Sequence, residues 1–99
     1  MFIIIRKYTG CPDVREANSR IQTVVETITG LPGLQSYGVI DLGDGQLATV
    51  GLFETRAQAE KSAEVARTHR MQGFTDILPN PPEITVGEVL SLHRSRPTC

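Results

Sequence analysis

The feature that most restricts the fold of this chain is the order in which strand-like and helix-like spacings of apolar residues alternate along it. Segments rich in β-branched residues have the spacing of strands, and two segments between them carry apolar residues every three or four positions, as a helix face does. The predicted strands are 2–8, 34–41, 47–53 and 84–92, and the predicted helices are 14–28 and about 56–70. This βαββαβ order predicts a ferredoxin-like α+β fold with an antiparallel four-stranded sheet.

Capping and turn residues support these boundaries. Asp13 with Glu16, and Thr55 with Gln58, have the spacing of capping boxes at helix starts. The pair Asp44-Gly45 is a strong hairpin signal between the second and third strands, which are therefore expected to be antiparallel neighbours.

Both faces of the predicted sheet are apolar. The first strand places Phe2 and Ile4 on one face and Ile3 and Ile5 on the other. Right-handed crossovers put both helices on one face, and monomers rarely leave a large apolar face uncovered. We therefore expect a homodimer in which two sheets pack together, with a monomer that exposes an apolar face as the alternative.

Composition and charge exclude several classes of protein. With 39% hydrophobic and 21% charged residues among 99, the chain is expected to form one globular domain (1–94) and a short tail (95–99). Its ten basic and eleven acidic residues form no block of like charge, so neither nucleic acid nor a membrane is an expected partner. No apolar run is long enough for a signal or a membrane span, and a cytoplasmic location is expected.

The two cysteines predict no metal site. Cys11 and Cys99 form no CxxC pair and have no third ligand nearby, so neither zinc nor another cofactor is expected. A disulfide between them stays an open alternative. The basic residues near the end, His93, Arg94 and Arg96, are expected to form a solvated tail.

Four motifs of turns, caps and prolines stand out along the chain: Leu31-Pro32-Gly33-Leu34, Asp41-Leu42-Gly43-Asp44-Gly45, Phe53-Glu54-Thr55-Arg56-Ala57-Gln58-Ala59-Glu60, and Leu78-Pro79-Asn80-Pro81-Pro82-Glu83 followed by Gly87-Glu88-Val89. Together they resemble the antibiotic-biosynthesis-monooxygenase-like superfamily, and the last of them is similar to a small, largely uncharacterised bacterial branch. The resemblance spans nearly the whole chain and implies a dimeric α+β barrel with a cleft between helices and sheet. Members include cofactor-free oxygenases of polyketide-like phenols, haem-degrading enzymes and proteins without known activity.

The chain departs from the haem-degrading members of this superfamily. Those relatives use an asparagine on the first strand, and a tryptophan and a histidine toward the second helix. Here residues 2–8 contain no asparagine, and the chain has no tryptophan. In the uncharacterised branch a tryptophan commonly stands about where His69 is. Haem degradation is therefore not expected, and haem binding is a third hypothesis that a Soret shift would test.

The second helix carries an inward stripe of small residues that ends at two larger ones: Ala59, Ser62, Ala63, Ala66, His69 and Arg70. Small side chains either let the helix pack closely on the sheet or leave a cleft for a ligand. His69 is a candidate catalytic base or ligand for a phenol, and the alternative is a histidine that interacts with the free carbonyls at the helix end.

Other candidate residues lie on the strands. Tyr37 is a candidate for positioning a substrate, and Tyr8 is a second phenol, although both are also ordinary half-buried strand residues. Glu88 points to the same side of the last predicted strand as its alternating apolar residues. It is either a cleft acid, an interface ion-pair partner or an exposed edge residue. Arg6 either binds an acidic substrate or marks a solvated strand end.

Two functional hypotheses follow. The first is a homodimer that binds a hydrophobic or aromatic metabolite and oxidises it without a cofactor, with His69 as base and Tyr37 positioning the substrate. The second is a non-catalytic binding or structural dimer whose barrel is filled by side chains. A cavity beneath the alanine stripe distinguishes them.

Overall fold

The computed structural model describes residues 1–93, so the predicted tail with Arg94, Arg96 and Cys99 lies outside the described part of the chain. Four strands and three helices follow one another as β1, α1, α2, β2, β3, α3 and β4. Their bounds are Phe2–Tyr8 (β1), Val14–Gln22 (α1), Val25–Thr29 (α2), Leu34–Gly43 (β2), Gln46–Phe53 (β3), Arg56–Met71 (α3) and Glu83–Glu88 (β4).

The strands form one antiparallel sheet in the order β2-β3-β1-β4, which confirms the ferredoxin-like α+β prediction. The hairpin between β2 and β3 turns through three consecutive residues with positive φ, which are Gly43 (84°), Asp44 (55°) and Gly45 (73°). Glycine adopts this conformation without steric cost and aspartate tolerates it, so this sequence favours the tight turn.

The continuous first helix predicted over 14–28 is wrong, because the helix breaks at Thr23. The Thr23 hydroxyl donates to the Arg20 carbonyl oxygen (2.6 Å), and the amides of Thr23 and Val24 bond to carbonyls three residues back. These shorter-range bonds tighten the turn and end α1. The short helix α2 then starts at Val25.

The last strand is shorter than predicted, ending at Glu88 instead of Leu92. Glu88 pairs with Phe2, the first residue of β1, and the Val89 amide makes one further bond to the Met1 carbonyl oxygen (2.9 Å). Beyond this point β1 offers no further partner, so an apolar sequence pattern that continues to Leu92 cannot continue the ladder.

The capping predictions differ in outcome. At α3 the Gln58 amide donates to Thr55 Oγ1 (3.2 Å) and the Thr55 amide donates to Gln58 Oε1 (3.1 Å), so this capping box is complete. At α1 the Asp13 carboxylate accepts two backbone amides at 3.1 Å, from Arg15 and Glu16. Asp13 therefore caps α1 with its side chain alone.

The helices cover one face of the sheet and pack two apolar clusters against it. One cluster centres on Tyr8, Leu47 and Ile21, and the other on Ile4, Phe53 and Ala59. Between them lie the three buried polar side chains of the described chain, which we call the polar layer: Arg6, Thr49 and Ser62.

The opposite face of the sheet belongs to neither cluster. Six apolar side chains, which we call the open face, point to this side by strand alternation: Ile3, Ile5, Ile40, Ala48, Val50 and Leu52. The two-sided apolar pattern predicted from the sequence is therefore present in the structure. None of the helices within residues 1–93 is both long enough and apolar enough to cross a bilayer.

Candidate functional site

A groove of about 320 Å³ lies between α3, β1 and the segment that leads into β4. Its apolar wall consists of small or rigid side chains together with one edge-strand isoleucine: Ala63, Ala66, Pro81, Pro82 and Ile84. The two alanines leave the volume that larger residues would fill, and the prolines keep the opposite wall extended. The stripe of small residues on α3 therefore borders open space at Ala63 and Ala66.

The inner end of the groove adjoins a second, smaller space of about 30 Å³. This inner space is large enough for one water molecule or one small polar group. It shares Arg6, Tyr8, Ala66 and Arg70 with the groove, and its other lining residues include Tyr37, Thr49 and His69. The site thus has an outer part walled mainly by small apolar residues and an inner end where polar side chains stand among Ile21, Phe74 and Leu78.

Arg6 is the main polar group of this inner end. The side chain alternates with Ile4 and Tyr8 on the helix-facing side of β1, and the residue is only 4% exposed. Its Nη1 donates a long hydrogen bond to Ser62 Oγ (3.4 Å), whereas its Nε has no partner among the described residues. The ion pairs among residues 1–93 do not include Arg6. A buried charge without a counter-ion is costly, which marks this arginine as a binding group.

Thr49 adds a second unsatisfied group beside Arg6. The two residues face each other across the β1–β3 ladder, and the buried Thr49 hydroxyl has no hydrogen-bond partner in the described part of the chain. Buried hydroxyls are nearly always bonded, so two adjacent unsatisfied groups indicate a place where a ligand supplies the missing partner. Both residues line the inner space.

Two tyrosines border the same space. Burial raises the pKa of the Tyr8 phenol, and the neighbouring Arg6 guanidinium opposes this shift without cancelling it. Tyr8 therefore stays protonated at neutral pH and can donate a hydrogen bond. Tyr37 is half-buried on β2 and lines the inner space with His69, so the structure brings together these two predicted site residues.

Arg70 lies next to Arg6 but has a structural role. Its Nε donates to the Leu78 carbonyl oxygen (2.8 Å) and its Nη2 to that of Pro79 (2.9 Å). These bonds fix the segment after α3 that forms one wall of the groove. Of the two arginines, Arg6 is therefore the one with donors available to a ligand.

The remaining candidates lie elsewhere. Glu88 is exposed at the end of the edge strand β4 and does not line the groove. Cys11 is buried in the first cluster and unpaired within the described chain, and burial raises the pKa of its thiol, so it lacks the character of a reactive thiolate. Within residues 1–93, no three histidine, cysteine or acidic side chains cluster as metal ligands would.

The favoured sequence interpretation of Arg6, a solvated strand end, is wrong. The alternation of Phe2, Ile4, Arg6 and Tyr8 places the arginine in phase with inward-facing residues, and this signal was present in the sequence. Thr49 and Ser62 carried no comparable signal, because a threonine in a strand and a serine in a helix are ordinary. Their significance comes from the packing that buries them beside Arg6.

Three solved structures illustrate what the chain resembles. Rv0793 from Mycobacterium tuberculosis has a TM-score of 0.71 and 18% identity, with 94% of this chain and 98% of that chain covered. The monooxygenase ActVA-Orf6 of Streptomyces coelicolor, solved with nanaomycin D, has a TM-score of 0.69 and 16% identity, covering 96% and 92%. A variant of SnoaB, a cofactor-independent oxygenase from Streptomyces nogalater, has a TM-score of 0.68 and 10% identity, covering 92% and 94%.

By contrast, comparison at the level of sequence finds no match, either to a protein-family model or to a curated sequence. Identities of 10% to 18% over nearly complete chains show a shared fold and leave activity to be argued from the site. The chain therefore has the fold of antibiotic-biosynthesis-monooxygenase-like proteins, as its sequence motifs imply.

Proposed function

We propose that the protein binds a small hydrophobic or aromatic metabolite in the groove beneath α3 and oxidises it with molecular oxygen without a cofactor. The observation that carries the proposal is the groove itself, which has an apolar body bordered by Ala63 and Ala66 and a polar inner end. Binding sites for small molecules typically combine an apolar cavity with a few converging polar groups. A barrel filled by side chains, the basis of the non-catalytic alternative, would lack this space.

His69 is the candidate base. Its imidazole lines the inner space, and histidine is the side chain best suited to accept a proton near neutral pH. Removal of a proton from an activated CH₂ group of the substrate gives a carbanion, which adds to O₂. The resulting peroxide takes up a proton and loses water, which leaves a carbonyl group. One oxygen atom enters the product, the other leaves as water, and O₂ accepts the four electrons given up by the carbon.

Support for this reaction class also comes from the structural neighbours. SnoaB is a cofactor-independent oxygenase and ActVA-Orf6 is a monooxygenase, and both share this fold over most of the chain. Because fold alone is a weak guide to activity, the proposal depends on the groove and its polar end.

The proposed assembly is a homodimer formed through the open face. Ile3, Ile5 and Val50 are only half-buried within one subunit, and Ile40 is 44% exposed. A second sheet packed against them would remove this apolar surface from water, which stabilises association.

Oxygen consumption tests the catalytic step. With an anthrone as substrate, whose CH₂ group is acidified by two flanking rings, we expect His69→Gln to lower the rate by about a hundredfold. His93→Gln is the matched control, because His93 is exposed and does not line the groove. Equal loss in both variants, or none in either, would contradict the assignment of His69. Binding of the anthrone without oxygen uptake in the unmodified protein would favour the non-catalytic alternative.

A further inference from the structure

The groove is locally positive although the chain as a whole is not. Arg6, Arg67 and Arg70 line it, and Glu64 is its one acidic lining residue. Glu64 forms an ion pair with Lys61 (3.3 Å), so its charge is already compensated from outside the groove. The full chain has a formal net charge of −1. A site with this local excess of cations favours an anionic ligand.

Two of these arginines, Arg6 and Arg70, also line the inner end. Arg6 Nε and Thr49 Oγ1 are buried and have no partners among residues 1–93, and the protonated Tyr8 borders the same space. Arg6, Thr49 and Tyr8 thus line a space of about 30 Å³, which accommodates one small oxygen-bearing head group. The ring or chain of such a ligand would occupy the apolar groove outside.

We propose that the ligand of this groove is a small aromatic or apolar carboxylic acid, held by its carboxylate at Arg6 with Thr49 and Tyr8 as further donors. The inference deepens the proposed function and depends on it, since it names the class of molecule that the same groove takes. In this arrangement the carboxylate supplies the counter-ion that Arg6 lacks within residues 1–93.

A carboxylate fits these donors better than a phenol does. Carboxylic acids are ionised at neutral pH, with ordinary pKa values of about 4, whereas a simple phenol has a pKa of about 10 and stays neutral. Charge-assisted bonds from a guanidinium to a carboxylate are stronger than neutral ones, and the planar fork of arginine matches two carboxylate oxygens. An uncharged phenol would leave the buried Arg6 charge unpaired.

A pair of fluorescent probes tests the inference directly. 2-Naphthoate carries the carboxylate, and 2-naphthalenemethanol is its neutral counterpart of similar shape. The protein contains no tryptophan, so naphthalene fluorescence can be followed with little protein background. We expect 2-naphthoate to bind about ten- to a hundredfold more tightly than the alcohol, the range expected for a hydrogen-bonded charge.

Variants separate the charge and geometry of Arg6 from general effects. Arg6→Gln should remove this preference, and Arg6→Lys, which keeps the charge without the two-donor edge, should retain part of it. Thr49→Val should weaken binding of the acid alone, because it removes the hydroxyl and keeps the shape. Arg15→Gln is the control, since Arg15 is an exposed residue of α1 outside the groove. Unchanged affinity for the alcohol across the series shows that each variant is folded.

The outcomes distinguish this inference from the function beneath it. Equal affinity for acid and alcohol, or an acid preference that persists in Arg6→Gln, overturns the carboxylate inference and leaves ligand binding in the groove intact. Failure of both probes to bind at millimolar concentration contradicts the proposed ligand-binding function itself.

Discussion

At the scale of single residues, Arg6 and Arg70 show how the same side chain serves opposite purposes within one groove. The Arg70 guanidinium donates hydrogen bonds to two backbone carbonyl oxygens, and these bonds offset the cost of its partial burial. Arg6 is more deeply buried, yet its hydrogen bond to Ser62 is long and its Nε has no partner within residues 1–93. Residues that reduce stability in this way are characteristic of binding sites.

This contrast predicts opposite effects on stability. Arg6→Met should raise the free energy of unfolding by about 1–3 kcal/mol, because it replaces an uncompensated buried charge with an apolar chain of similar length. Arg70→Met should lower it by about 1–3 kcal/mol, because it leaves the buried Leu78 carbonyl without its donor. Urea denaturation measures both. A loss of stability in Arg6→Met would mean that this arginine is a structural residue like Arg70.

At the scale of elements, local sequence signals predicted what local interactions determine. The Thr55 and Gln58 capping box and the Asp44-Gly45 hairpin are satisfied within a few residues, and both formed as predicted. The end of β4 depends on where β1 begins, more than eighty residues away, so no local pattern could locate it. The break at Thr23 is also local, but the apolar period continues through it and hides it.

The features of the candidate site also fall into those that local sequence predicts and those that depend on packing. The stripe of small residues on α3 is visible in the sequence, and the structure places two of its members, Ala63 and Ala66, beside the groove. Arg6 Nε and Thr49 Oγ1 lack hydrogen-bond partners within residues 1–93 because of the way three strands and a helix pack around them. This lack could be recognised only once the elements were assembled.

An interaction between α1 and the segment after α3 predicts a dependence of stability on pH. Arg20 Nη1 donates to Asp76 Oδ2 (2.6 Å), and this hydrogen bond lowers the pKa of the Asp76 carboxyl below its ordinary 3.8. The folded state therefore keeps Asp76 ionised at a lower pH than the unfolded state does. The resulting stabilisation is fully present above pH 3.8 and is lost as the pH falls through the lowered folded-state pKa.

We accordingly expect Asp76→Asn to be less stable than the unmodified protein near neutral pH, and this difference to shrink in acid. Urea denaturation at a series of pH values provides the measurement. In an Arg20→Gln background the same substitution should have little effect at any pH, because the partner is gone. A difference that persists unchanged into strong acid would show that the carboxylate charge is not responsible.

At the scale of the whole molecule, the helices protect only one face of the sheet. The structure describes one chain, and the side chains of the open face belong to neither apolar cluster. Because Val50 lies on β3, between β2 and β1, a charge there would lie near the centre of a sheet-to-sheet interface.

Val50→Glu should therefore convert the proposed dimer into a monomer, because it would bury an uncompensated carboxylate at the interface. Met71→Glu is the matched control, since Met71 is 65% exposed on α3, on the helical side of the sheet. Light scattering coupled to size-exclusion chromatography gives the mass of each. A monomeric unmodified protein, or a Val50→Glu variant that stays dimeric, would contradict the proposed interface.

The strand order β2-β3-β1-β4 also has a consequence for the order in which the chain folds. Only the β2–β3 hairpin joins neighbours in sequence, whereas β1 must pair with two strands that come much later in the chain. Such distant pairings are costly to close, so folding is expected to proceed from the hairpin and to finish with β4. The groove takes its walls from β1, α3 and the segment around β4, so it is complete only once β4 has paired with β1. Ligand binding would then report that the last strand has taken its place in the sheet.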